Sequence, residues 1–169
     1  KNRIVFIGRL GEEKGIFDLV KAWKLWGGDA PVLEIIGDGD LKPGLEQFIK
    51  KNNLNLKVIL RGLLPFDETQ TILSNSMLLV LPSVCFEGFP MTIREAFAHG
   101  VPVAASDIGS IPDIVDNGLN GVLFTPGSPE DILQKIQKLW QSKARLKGMG
   151  VAARQNLRRS MRRSKITRC

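Results

Sequence analysis

Two glutamates eight positions apart bracket the segment Glu87-Gly88-Phe89-Pro90-Met91-Thr92-Ile93-Arg94-Glu95. Pro90 stands where a helix can begin, because proline lacks the N–H that would go unpaired at the first helical position. The amides of Met91 to Ile93 are then expected as free donors at a helix N-terminus. Such donors bind phosphate, helped by the helix dipole. Glu87 falls in the loop before this helix and Glu95 on its second turn. The segment thus offers two carboxylates for hydroxyl groups and an amide cluster for an anion, the two kinds of group that a nucleotide sugar carries. The competing reading is two unrelated surface acids, since acids are mostly exposed. A hydrolytic acid–nucleophile pair fits less well, because both carboxylates belong to one short segment on one side of a cleft.

A second chemistry-bearing stretch is Gly8-Arg9-Leu10-Gly11-Glu12-Glu13-Lys14-Gly15. Arg9 can grip a phosphate with two donors, Lys14 offers a mobile point charge, and the glycines allow close backbone approach. It is neither the Gly-x-Gly-x-x-Gly fingerprint nor a Walker loop, and taken alone it also reads as a solvated charge pair. Gly37-Asp38-Gly39-Asp40 is turn chemistry first, with support beneath a phosphate site as its functional reading. His99, the only histidine, precedes Gly100 in a last helical turn, where a cation suits the dipole; its expected role is structural. No spacing of His and Cys suggests a metal site, and there is no Gly-x-Ser-x-Gly elbow.

The elements that must position these residues follow from apolar runs alternating with amphipathic stretches, the βαβ pattern. Strands are expected at Arg3–Gly8, Val32–Gly37, Leu56–Leu60, Met77–Leu81, Val101–Ser106 and Gly121–Phe124. Helices are expected at Gly15–Trp26, Leu45–Asn52, Asp67–Asn75, Pro90–His99, Ile111–Asp116 and Pro129–Trp140. Asp67 and Gln70 have capping-box spacing. The expected fold is an α/β, doubly wound, parallel six-stranded sheet with helices on both faces. Ligands of such sheets bind beyond the carboxyl ends of the strands. Both chemistry-bearing stretches lie there.

The 169 residues suit one domain of ordinary size, and 43% apolar with 24% charged residues is globular composition. Met77 to Pro82, among the longest apolar runs, is far short of the ~20 residues that span a bilayer. The chain opens on a strand-like run with no leader and no initiator Met, which reads as a fragment of a longer protein. Two cysteines, Cys85 and Cys169, suggest free thiols in a reducing compartment. The net charge of +7 is unevenly spread: residues 143–169 hold ten Lys or Arg and no acid, leaving 14 basic and 17 acidic residues in 1–142, a net of −3. The body is mildly acidic, so the overall charge gives no nucleic-acid reading for it. The division expected is a nucleotide-sugar-binding domain over 1–142 and a basic C-terminal helix or tail over 143–169.

With these residues in hand, the chain resembles the C-terminal, donor-binding domain of retaining GT-B glycosyltransferases, family 4 (group 1). The matching pieces run from about Arg3 to Trp140: Phe6-Ile7-Gly8-Arg9-Leu10 through Lys14-Gly15, Ile35-Ile36-Gly37-Asp38-Gly39, Leu60-Arg61-Gly62, Leu81-Pro82-Ser83, Glu87-Gly88-Phe89-Pro90 through Glu95-Ala96, Gly100-Val101-Pro102-Val103 and Asn117-Gly118-Leu119-Asn120-Gly121. The resemblance implies a Rossmann-like half of a GT-B fold that binds a nucleoside-diphosphate sugar, UDP-sugar favoured and GDP- or ADP-sugar as alternatives. By it, Gly8, Arg9 and Lys14 hold the diphosphate, and Arg9 and Lys14 stabilise the leaving group. Glu87 takes hydroxyls of the transferred sugar and Glu95 those of the ribose. Gly88, Phe89, Pro90, Met91, Thr92 and Ile93 border sugar and phosphates, and Gly62 and Leu63 border the base. The catalytic set is then Arg9, Lys14 and Glu87. No cofactor or metal is implied; a separate N-terminal acceptor domain, absent from this chain, is. A hexosyl transfer to a polysaccharide or glycolipid acceptor in the cytoplasm is the expected setting, with the isolated domain inactive.

The last stretch departs from that pattern. Ala152–Cys169 has no aromatic and is densely basic, which reads as a frayed, solvated tail or as a contact with the anionic inner face of a membrane. Two other functions stay open. One is a sugar-nucleotide epimerase-type GT-B enzyme. The other is a non-catalytic, nucleotide-responsive interaction module.

Overall fold

The computed structural model describes residues 2–88 and 90–166. Among them six parallel strands form one sheet: β1 Arg3–Ile7, β2 Val32–Ile36, β3 Val58–Gly62, β4 Leu78–Leu81, β5 Val103–Ser106 and β6 Gly121–Phe124. Their order is β3-β2-β1-β4-β5-β6. Among the described residues seven α-helices accompany them: α1 Ile16–Trp26, α2 Lys42–Lys51, α3 Phe66–Ser74, α4 Met91–Ala98, α5 Ile111–Ile114, α6 Pro129–Trp140 and α7 Lys143–Ile166. This is the Rossmann-like, doubly wound α/β architecture expected from the sequence.

The central strands are apolar on both faces because helices cover both. Ile4 and Phe6 of β1 join the cluster of Leu19, Trp23, Leu45 and Ile136 from α1, α2 and α6. Val5 between them joins the opposite cluster with Leu73, Ile93, Phe97 and Ile111 from α3, α4 and α5. The register Ile4↔Leu33 and Val5↔Leu79 carries this alternation across the sheet. Trp23 is 1% exposed, and its indole N–H donates to the Pro31 carbonyl at 2.8 Å.

Several boundaries differ from the sequence reading for local reasons. The third strand begins at Val58 instead of Leu56, because the turn after α2 runs through Leu56, which is 85% exposed. The second helix begins at Lys42, three residues before Leu45; Pro43 fits its first turn. Asp67 and Gln70 do not form a capping box: Pro65 is the N-cap of α3, with no side-chain cap bond. Val101 is not in a strand; its amide closes the end of α4 on the Ala96 carbonyl.

Over residues 152–166 α7 departs from the frayed-tail expectation, whose last residues, 167–169, lie outside the described ones. It is helical through Ile166. Leu146 and Met149 are buried with the first apolar cluster and Ala153 with the second. A stripe at three- and four-residue spacing therefore offsets the like-charge repulsion of the exposed face. Gly150 lies against Gly100 so closely that a side chain there would run into the Gly100 carbonyl. Among the described residues no helix is long and apolar enough to cross a membrane.

Candidate functional site

The strand order reverses between β1 and β4, the point at the carboxyl edge of such a sheet where the ligand crevice lies. The loop after β1 supplies Gly8 to Gly15, and the loop after β4 supplies Ser83 to Gly88 and Pro90. The two loops are locked together. The Val84 amide donates to the Glu13 carbonyl at 3.0 Å. Gly15 has φ 65°, and a Cβ on it would strike the Pro82 carbonyl. Below them, Gly37 (φ 141°) lets β2 turn against the Gly8 carbonyl, while the Gly8 amide donates to the Ile36 carbonyl at 3.0 Å.

Lys14 and Glu87, 73 positions apart in sequence, meet across this crevice with Nζ to Oε1 at 2.5 Å. Their side chains are 22% and 17% exposed. The same carboxylate oxygen accepts from Ser83 Oγ at 2.8 Å. The Ser110 hydroxyl, after β5, lies within hydrogen-bond distance of the carbonyls of Glu87 and Gly88, at 2.9 and 3.1 Å, and pins the loop. Burial pushes the Glu87 carboxyl up, but the hydrogen bonds from Lys14 and Ser83 and the Lys14 charge outweigh it, so Glu87 sits below the ordinary range. It is an ionised, oriented acceptor beside a cation that has three donors and spends one on it.

The helix after this loop starts one residue later than expected: Pro90 is the N-cap and Met91 the first helical residue. The expectation of a free Ile93 amide is corrected, since that N–H donates to the Pro90 carbonyl at 3.2 Å, and the Ile93 side chain is core. The amides of Met91 and Thr92 have no partner among the described residues. Glu95 meets α3, where Gln70 Nε2 donates to its Oε2 at 3.0 Å. Gln70 Oε1 in turn lies 2.8 Å from His99 Nε2.

The remaining expected residues fall around the same edge. Arg9 lies on Glu13, Nε to Oε1 at 3.4 Å, with its side chain 65% exposed; the structure brings Lys14, not Arg9, to Glu87. Gly62 (φ 71°) ends β3 and accepts from the Gly37 amide at 2.9 Å. Leu63 is exposed beside it. Gly88 is exposed. Phe89 lies outside the described residues. Asp38 caps its own turn, accepting from the Gly39 amide at 2.8 Å. Among the described residues no group of three or more His, Cys, Asp or Glu could hold a metal ion. A cleft of about 460 Å³ lies elsewhere, between α4, α5 and α7, with Arg94, Asp113 and Arg159 on its walls. Sequence reasoning missed the parts played by Ser83, Ser110 and Gln70. Ser83 stands four residues before Glu87, a signal that could have been used. Ser110 carries no local signal.

A family model for glycosyl transferases group 1 matches residues 1–156. An uncharacterized glycosyltransferase of Methanocaldococcus jannaschii is 35% identical over 147 residues, 86% of this chain and 40% of that protein. The lipopolysaccharide 1,6-galactosyltransferase of Salmonella typhimurium is 34% identical over 144 residues, 80% of this chain and 38% of that protein. Among solved structures, a mutant of S. aureus TarM in complex with Fondaparinux, alpha-GlcNAc-glycerol and UDP superposes with a TM-score of 0.84 at 27% identity, over 93% of this chain and 32% of that one. The pneumococcal O-GlcNAc transferase GtfA in complex with UDP and GlcNAc does so with a TM-score of 0.80 at 26% identity, over 92% and 32%. The chain spans two fifths or less of the length of each of these proteins.

Proposed function

This chain belongs to the group 1 glycosyl transferases, and we propose that it is the donor-binding half of such an enzyme, taking a nucleoside-diphosphate sugar at the β1/β4 crevice. The observation that carries this is the Lys14–Glu87 pair spanning the crevice. Lys14, with Arg9 closing from the rim, faces the diphosphate; Glu87 accepts from hydroxyls of the sugar. The first-turn amides of α4 border the phosphates, Glu95 the ribose, and Gly62 and Leu63 the base. UDP is the favoured nucleotide, because TarM and GtfA, both above a quarter identical, are complexed with it.

In the reaction, the bond between the anomeric carbon and the phosphate oxygen breaks. The electron pair leaves on the diphosphate, where Lys14 and Arg9 meet the growing charge without a metal. The acceptor oxygen bonds to the anomeric carbon with retained configuration, and its proton goes to the departing phosphate or solvent. The acceptor, a saccharide or glycolipid, is held by a separate domain, so the isolated chain binds donor and transfers nothing. Residues 1–142, with the buried stripe of α7 packed on them, form the donor-binding body. The acid-free stretch 143–169, whose exposed face carries Arg154, Arg158 and Arg162, rests on the inner face of the cytoplasmic membrane. Salt-sensitive binding to anionic vesicles supports that last part; no binding at low salt removes it.

The test of the donor site is a thermal-shift screen of nucleoside diphosphates. A ligand at about 100 times its Kd stabilises by ~2.7 kcal/mol, which raises Tm by about 5–11 °C for a domain of this size. UDP is expected to give the largest rise. No rise with any diphosphate contradicts the donor site, and sugar transfer by the purified chain contradicts its inactivity.

A further inference from the structure

Glu95 and His99 stand four positions apart on α4, so their side chains share one face of the helix. That face meets α3, and one side chain there bridges both. Gln70 gives Nε2 to Glu95 Oε2 at 3.0 Å and sets Oε1 2.8 Å from His99 Nε2. The chemistry dictates the orientation of each group. An ionised carboxylate only accepts, so the amide must turn its NH2 toward Glu95. Its oxygen then faces His99, which must carry hydrogen on Nε2. All three residues are half-buried. Among the described residues Glu95 has no ion pair, and its other oxygen has no hydrogen-bond partner.

A free glutamate samples many rotamers, and fixing one costs entropy when a ligand arrives. A cation in place of Gln70 would hold Glu95 but would also compete with the ligand for its charge. A neutral amide, itself held by His99, orients one oxygen and leaves the other with its full capacity to accept. Resting on the donor-site reading above, we propose that Gln70 is a positioning residue that preorganises Glu95 for the ribose hydroxyls, and that the Glu95–Gln70–His99 relay sets the preference of the site for a ribonucleotide over a deoxyribonucleotide. The contact between α3 and α4 made by these side chains then serves recognition as well as packing.

The experiment is calorimetric titration of UDP and of 2′,3′-dideoxy-UDP into the chain, its Gln70→Met and Glu95→Gln variants, with melting curves alongside. The wild type is expected to prefer UDP by about 10-fold or more, a hydrogen bond to a charged acceptor being at stake. Gln70→Met is expected to cut that preference by about 3- to 10-fold, with affinity for the dideoxy compound unchanged. Glu95→Gln is expected to remove most of it. If Gln70→Met does not melt cooperatively, Gln70→Asn, too short to span both partners, takes its place with the same expectation. A preference that falls in Glu95→Gln but survives the Gln70 variants overturns the positioning role while leaving the donor site intact. A preference that neither change moves overturns the assignment of Glu95 to the ribose. A wild type that binds neither compound overturns the donor site and this proposal with it.

Discussion

The Lys14–Glu87 pair should be measurable as a coupling energy. The two side chains are 22% and 17% exposed, so the pair lies between the surface limit of about 0–1 kcal/mol and the ~1.5–3 kcal/mol of a hydrogen bond to a charged group. Ser83 also donates to Glu87 and remains when Lys14 is removed, which lowers the expectation to about 1–2 kcal/mol. That corresponds to a fall in Tm of about 2–8 °C for Lys14→Met. The assay is a double-mutant cycle of Lys14→Met and Glu87→Gln by urea unfolding. Its pH dependence has a definite sign. Burial raises the Glu87 carboxyl, but the hydrogen bonds from Lys14 and Ser83 and the Lys14 charge hold it below the ordinary carboxylate range in the folded state, so its stabilisation is present above the unfolded value and is lost as pH falls through the folded one. The coupling should stand at neutral pH and shrink in acid, once the pH falls below the ordinary carboxylate range. A coupling near zero at neutral pH, or one that persists undiminished in acid, would show that Lys14 and Glu87 do not pair in the folded chain.

Other outcomes follow from the same contacts. Gly15→Ala places a Cβ against the Pro82 carbonyl in a left-handed conformation, so it should destabilise by at least ~2 kcal/mol in chemical unfolding and weaken nucleotide binding through the displaced loop. Leu146→Ala should cost about 2–5 kcal/mol in the same assay, because Leu146 is 1% exposed; a change near zero would show that α7 is not integral to the core. Glu34→Gln leaves Arg3 and Arg61 beside a neutral amide where a 3%-exposed carboxylate had paired with both. About 2–4 kcal/mol should be lost, read as a shifted urea midpoint with unchanged slope.

The fold was legible because buried parallel strands must be apolar on both faces, and runs such as Ile4-Val5-Phe6 and Leu78-Leu79-Val80-Leu81 admit few other structures. The boundaries were less so. Leu56 has the type of a strand residue but lies on an exposed turn, and strand type alone does not reveal which face a neighbour will cover. At the site, the residue types at Lys14, Glu87 and Glu95 were legible, but their partners were not. Lys14 and Glu87 are joined only by the order of the strands. Gln70 has capping-box spacing to Asp67, yet Pro65 starts the helix without side-chain help, and the amide is used across the helix pair instead. The like charges of α7 hid a stripe of Leu146, Met149 and Ala153 that tertiary packing turns into a stable helix.

In the donor-site proposal the diphosphate of a sugar nucleotide docks in the β1/β4 crevice beside Lys14. Titration of UDP into the wild-type chain and into Lys14→Ala tests it most directly. Saturable one-to-one binding that weakens about 10-fold or more in the variant, as loss of a charged hydrogen bond requires, is the predicted result. Equal affinity in the two proteins, or no binding by the wild type, would contradict it.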